Sequence, residues 1–593
     1  MGFRLVGPTH PDALDVYTFT MGDVRRQDDR LVYNIYFAPK RALATTFVGY
    51  LAVLDEAYVV LEVGLRPHPD NVWPPPVLSA DVHFEQHFAA FGESVWLPVD
   101  LRVHGNVSFG RLGVSYPTAR YEQVSRLTNH VINVLVPDSL YAGSQRLFKQ
   151  PFADTQDYLF RWNPGLVPLT PKEIEAVITL DPSMTIRRAF RPDGFLRQYT
   201  ALEVTEEAPV EEAGSRSRLQ QAAALLGTAA VSYNRVDGWH LGLRPVFQLG
   251  PSLGVKLRGG YDTDRKRLFH GADLTYAWGN ADPSAPGRGV FLGGGYDEGT
   301  RSRYESSVYG DFLTGVATYF GYDDYYDYYH NRRFFVQAGG RSAALRTGLT
   351  VGLTVERHRS ATRNADYEGW LFGETQRENP AITEGNLRAL TLRLNAGAAP
   401  SATTPGVSLV VDIEHSPPGM LGSAFDYSTL RGAVTGRFPT LFRRRPWPNT
   451  LTVRAVGGTF RGKLPLQRFG ILDTALGPYG PFGAFRARSG TPYEGERYLG
   501  LFWEYDFSTV PFELLGLWGL AERGLGVSIF GAHGRTWIDG DRRLPFEPVV
   551  PDALHHEIGF ALTHPFHLPL RFDVTTRLDQ PGVFMGLGLF SVR

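Results

Sequence analysis

The sequence predicts an all-β protein: a transmembrane antiparallel β-barrel of about 16 strands, preceded by a small β-rich (α+β) domain that is periplasmic if the barrel sits in an outer membrane. Three observations lead there. From Gly238 to Arg593 the chain divides into roughly 15 or 16 segments of about 9 to 14 residues, each alternating apolar and polar side chains and bounded by Gly, Asp, Asn or Pro. Strands of a soluble sandwich also alternate, but they average only about 5 to 6 residues. No window approaches the roughly 18 uncharged apolar residues of a membrane-spanning helix, so a membrane would be crossed by strands. Finally, 65 Gly and 38 Phe beside 28 Tyr suit closely approaching strands and interfacial aromatics.

The first domain is expected over residues 1–165. Thick apolar runs, "LVYNIYF", "FVGYLAVLDEAYVVLEVGL", "VHFEQHF" and "VWLPVDLRVHG", read as successive strands of a sheet covered on at least one face, with a hairpin turn at Asp55-Glu56. Such a sheet is concave and of lipoprotein-carrier type. A helical connector follows over residues 166–230. Its first helix is signalled by a capping box, with Thr170 at the cap, Pro171 at the first helical position and Glu173 three residues on. A second helical stretch starts at Ser217, after an acidic linker.

The barrel is expected over residues 231–593. In "RYLGLFWEYDF", Leu499, Leu501, Trp503, Tyr505 and Phe507 fall on one face, and Tyr498, Gly500, Phe502, Glu504 and Asp506 on the other. Lipid suits the first face, and a wet or cationic lumen suits the second. "YFGYDDYYDYYHNRRFF" combines tyrosines and acids at no fixed period. It reads as strand ends in an aromatic girdle plus a loop, with a ligand-binding external loop as the alternative.

A formal net charge of -1 argues against a nucleic-acid partner. The absence of cysteine removes disulfides and thiolate chemistry. "MGFRLVGPTHPDALD" lacks the features of an export signal, so the chain is expected to be incomplete at its start if it is exported. No metal or cofactor is expected: alternation sends His555 and His556 to opposite faces, and His564 lies a strand length away. No catalytic motif is present, and the protein is not expected to be an enzyme. Glu494 and Glu496 read as solvated charges flanking a loop rather than a glycosidase pair.

"YNRVDGWHLGL", "PYEGERYLGLFWEYDF" and "LPLRFDVTTRLDQPGVFMGLGLF", together with "GYLAVLDEAYVVLEVGL" and "VWLPVDLRV", resemble an uncharacterised family of Bacteroidota outer-membrane proteins. In that family a carboxypeptidase-regulatory-like domain commonly precedes a sheet domain and a barrel related to the BamA and surface-antigen superfamily. The resemblance implies a bacterial outer-membrane location with the first domain in the periplasm, contact with outer-membrane lipid, and a role in transport or assembly for a protein or lipid client. A passive pore, or an anchor for a periplasmic partner complex, is the alternative role; a barrel enzyme is a third.

The superfamily resemblance also implies a loop folded into the lumen through an arginine motif, and a late-strand acidic motif that receives it. "FRAR" stands at the first position with Ala487 where Gly is expected, and "FGAHG" at the second with Ala532 where Asp is expected. With no carboxylate at Ala532, Glu504 and Asp506 become the expected partners of Arg486 and Arg488, locking the loop by bidentate, charge-assisted bonds. The alternative is that the two acids line a hydrated wall.

Overall fold

The computed structural model describes residues 6–127 and 229–589, with short interruptions. The helices expected at Thr170 and Ser217, and the linker between them, lie outside the described residues. The chain separates into two compact units, one holding residues 2–206 and the other the bulk of residues 207–593.

In the first unit a four-residue helix, Ala13–Val16, leads into an eight-stranded antiparallel sheet. Its first six strands, Tyr17–Gln27, Arg30–Pro39, Phe47–Leu54, Val59–Pro67, Val77–Phe91 and Val95–Arg111, follow one another as a meander. Val114–Ser115 and Ala119–Arg126 both pair back onto the sixth. The apolar runs singled out above fall on these strands, the longest of them divided between Phe47–Leu54 and Val59–Pro67 by a turn at residues 55–58, where the hairpin turn was expected. Tyr17, Phe37 and Leu51 form a core on one face with Phe19, Ile35 and Val63, while Val32, Ala52 and Leu54 pack with Trp96 in a second cluster. The Tyr17–Gln27 edge is interrupted by a register shift between Met21 and Val24 and then carries Arg25 and Arg26, features that discourage another strand from pairing there.

The second unit is a closed antiparallel barrel. Seventeen strand segments form its ring. Two of them, Gly238–Leu243 and Val246–Leu249, pair with successive halves of the same neighbour, Leu253–Asp262, so they are one wall strand interrupted at Arg244-Pro245. Proline has no N–H to give to the ladder, which explains the break. The wall therefore has 16 strands, an even number that lets an antiparallel ring close.

Alternation along the wall separates two environments. On Arg497–Ser508, Leu499 is 61 % exposed on the outside, while Phe502 is 3 % exposed inside. Trp278, Leu292, Phe334, Val351, Leu430, Ile529, Phe560 and Leu587 are likewise exposed on the outer surface. An apolar belt of this extent is far larger than the few hundred Å² patches that soluble monomers carry, and hydrocarbon is the medium that it fits. No helix among the described residues is long and apolar enough to cross a membrane. The fold is a transmembrane β-barrel.

Three long connections, residues 303–327, 361–384 and 463–496, all leave from the same end of the wall. The expected girdle is corrected here. Tyr325, Tyr326, Tyr328 and Tyr329 face neither lipid nor solvent, being 0 to 8 % exposed. The first three pack with Tyr304, Tyr309, Val236 and Leu476 into a core made by the connections themselves. Tyrosine suits that place because its ring fills space while its hydroxyl finds a polar partner; Tyr325 donates to Asp473 at 2.9 Å and Tyr328 to Asp324 at 3.0 Å.

Candidate functional site

The connection 463–496 carries both predicted arginines. It is held together by short ladders, Gly470–Leu472 with Tyr493–Gly495 and Thr474–Ala475 with Phe485–Ser489. Its apolar side, Leu472, Phe485 and Tyr493, packs on Phe502 and Ala532 of the wall. Phe485 is fully buried, with its ring centroid 5.3 Å from that of Phe502 and 4.4 Å from that of His555. The wall admits the segment because it is flat there: a Cβ on Gly534 would come within 2.9 Å of both Leu472 and Phe485, and one on Gly500 within 2.7 Å of Leu472.

Arg486 then reaches the wall. Its Nη2 donates to Glu504 Oε2 at 3.2 Å, its Nε donates to the Gly480 carbonyl at 2.7 Å, and its guanidinium lies 3.9 Å from the centre of the Phe530 ring. Arg571 covers the same ring at 5.3 Å and donates to Glu504 Oε1 at 2.6 Å and Asp573 Oδ1 at 2.7 Å. Glu504 thus receives one arginine on each oxygen, and Phe530 lies near both cations. The backbone N–H groups of Arg486 and Ala487 donate to the two carboxylate oxygens of Glu557 at 2.8 and 2.9 Å. His555, whose ring lies 3.0 Å from Glu557, also meets the Tyr493 hydroxyl at 2.9 Å.

Of the four residues expected to meet, the structure brings together Arg486 and Glu504. Arg488 lies over the Tyr493 ring at 5.1 Å, and Asp506 accepts the backbone N–H of Ser508 at 2.7 Å, where Ser508 takes a positive φ of 51°. Glu557, Arg571 and Asp573 were missed by sequence reasoning. A signal for Glu557 existed: it stands directly opposite Ala532 in the strand register, so the carboxylate lacking at Ala532 is supplied from the adjacent strand.

The same connection is bound at another part of the wall. Arg468 donates to Glu414 at 3.0 Å and to Glu356 at 3.1 Å, and Gln467 approaches His358 at 2.8 Å. Anchored at both places, the segment occupies the lumen. A cavity of about 560 Å³ remains beside it, bordered by Arg303, Arg393, Arg454, Asp412 and Glu414.

Above this plug the connections form a cap around a buried charge network. Asp327 accepts from Arg235 and from Arg303, each at 2.6 Å, and Arg377 lies 2.6 Å from it. Arg303 also donates to Glu494 at 2.6 Å. Burial by itself would push the Asp327 carboxyl up, but Arg303, Arg377 and Arg235 together hold it well below the usual range. Burial keeps Glu494 above the usual carboxylate range despite Arg303. The reading of Glu494 and Glu496 as solvated is corrected: both are 4 % exposed, the first paired with Arg303 and the second with Arg542. Their burial follows from the packing of 463–496 against 303–327, which carries Arg303, and against 538–554, which carries Arg542, and no local pattern announces it.

Comparison with known proteins adds little chemistry. Residues 2–124 match the model of a family described as a family of unknown function (DUF5686). Curated proteins return no match. Among solved structures, the chain is similar to BamA from Haemophilus ducreyi lacking POTRA domains 1–3, with 13 % identity, a TM-score of 0.34, and 61 % of this chain and 69 % of that one covered. It is also similar to CdiB from Acinetobacter baumannii, with 10 % identity, a TM-score of 0.31, and 60 % of this chain and 58 % of that one covered.

Proposed function

We propose that the protein is an outer-membrane barrel of the transport or assembly kind, working with its lumen closed, and that its first unit lies in the periplasm and receives a protein or lipid client. The observation that supports this best is the bonding of the 463–496 connection to the wall through both Arg468 and Arg486. An open pore needs a clear lumen, and about 16 strands would otherwise enclose a water-filled one. The buried cap above the plug points the same way. Work would then be done at the lipid-facing wall and on the sheet of the first unit rather than by diffusion through the centre. A Bacteroidota source and the loop-lock role of Arg486 belong to the same proposal.

Planar-bilayer recording tests it. The intact chain is expected to give low, flickering currents, and disruption of the Arg486 contacts to give larger and steadier ones. Steady, large currents from the intact chain would favour the passive-pore reading and overturn this one.

A further inference from the structure

A second cluster lies at the same end of the wall but outside the plug. Asp237 sits in the first hairpin between Ala229–Asn234 and Gly238–Leu243, His240 on the inner face of the latter strand, and Asp262 at the end of Leu253–Asp262. Strand pairing places His240 directly opposite Asp262. One donor atom from each of the three lies within 4.8 Å of the others. The geometry points to a divalent metal site of the zinc type, formed by Asp237, His240 and Asp262.

The donors are held for such a role. Gly238 turns the chain at a φ of +71°, and a Cβ there would come within 2.4 Å of Asp264, so only glycine lets the hairpin approach this closely. The His240 ring stacks on Phe269 with centroids 3.7 Å apart and lies 2.7 Å from Asp262 Oδ1. Asp237 is oriented by Thr300 at 2.6 Å and Asn234 at 3.1 Å. Those are the outer contacts that metal carboxylates ordinarily carry.

A second, independent observation points to a cation there. Asp262 is completely buried, yet its Oδ2 has no hydrogen-bond donor, and Arg265 Nη1 lies 4.0 Å away. Leaving a buried carboxylate oxygen unmatched is costly, and a cation satisfies it. Arg265 donates to Thr300 at 3.1 Å, which fixes it beside the cluster without seating it on Asp262. Asp237 and His240 border a cavity of about 500 Å³, giving an ion and its water a way in. One imidazole and two carboxylates suit Zn²⁺, with water completing four-coordination. The site is separate from the plug, and nothing in it depends on the transport reading.

The test uses the full chain in detergent, stripped with chelator and dialysed against Zn²⁺. One zinc per chain is expected to survive gel filtration. His240→Ala and Asp262→Asn should each weaken binding by about 100-fold or more. His533→Ala should leave it unchanged, since His533 pairs with His556 on the outer face. X-ray absorption at the zinc edge of the unaltered protein should show one imidazole nitrogen among oxygen ligands, which keeps the test decisive if a variant fails to fold. No zinc retained by folded protein, binding abolished only by His533→Ala, or an edge spectrum with more than one imidazole would each overturn the assignment.

Discussion

Replacing Arg486 with Met tests the seat of the plug most sharply. The substitution keeps the length of the stem but removes the donor to Glu504 and to Gly480 and the cation over Phe530. Glu504 keeps Arg571, so the loss is not that of a wholly abandoned carboxylate. Breaking one side of a buried pair costs about 3 to 5 kcal/mol, and the shared Glu504 places this case near the lower end. Since 1 kcal/mol moves a melting point by about 2 °C in a large domain, the shift should be about 6 °C. The assay is the temperature at which the compact, fast-running band on a cold gel gives way to the unfolded one, read beside bilayer conductance. Arg486→Glu should go further, because it adds an acid beside Glu504, Asp573 and Glu557. A melting temperature and conductance both unchanged in Arg486→Met would refute the view that this arginine holds the connection in place.

The other expectations are more local. Gly534→Val should lift Leu472 and Phe485 from the wall at a cost of about 1 to 3 kcal/mol, seen as faster proteolysis within 463–496; unchanged cleavage would count against close approach there. Arg303→Met strands Glu494, while Asp327 keeps Arg235 and Arg377, and should loosen the cap by about 3 kcal/mol, read as proteolysis within 303–327. For pH, the depressed Asp327 carboxyl stabilises the cap fully above the unfolded value of about 3.9 and less as pH falls through its lower folded value. Cap opening should therefore set in only in strong acid, and Asp327→Asn should flatten that dependence below about pH 4 while weakening the cap at neutral pH.

The wall was legible because lipid on one side and a lumen on the other write themselves into every second residue, as at Leu499 and Phe502. The break at Arg244-Pro245 divides one wall strand into two segments, a detail that counting alone does not resolve. The plug was half legible. "FRAR" pointed to Arg486, and Glu504 lay on the right face, but the receiving groups Glu557, Arg571 and Asp573 stand on the next strands round the wall, and which of their inward-facing charges meets the loop depends on register and on the loop's path, which the sequence does not give. The cap was misread for the same reason. Asp327 meets Arg235, Arg303 and Arg377, residues far apart in the chain, so its tyrosines looked like a girdle until the connections were seen to cover one another.

The most direct measurement of the account begins from the absence of cysteine, which makes any introduced thiol a unique label position. Spin labels placed one at a time from Tyr498 to Phe507, with the protein in lipid bilayers, should show oxygen accessibility rising and falling with a period of two: high at 499, 501, 503 and 505, low at 498, 502 and 504. Uniformly low accessibility, with the labels at Leu499 and Leu501 packed against protein, would contradict the assignment of this wall to a membrane.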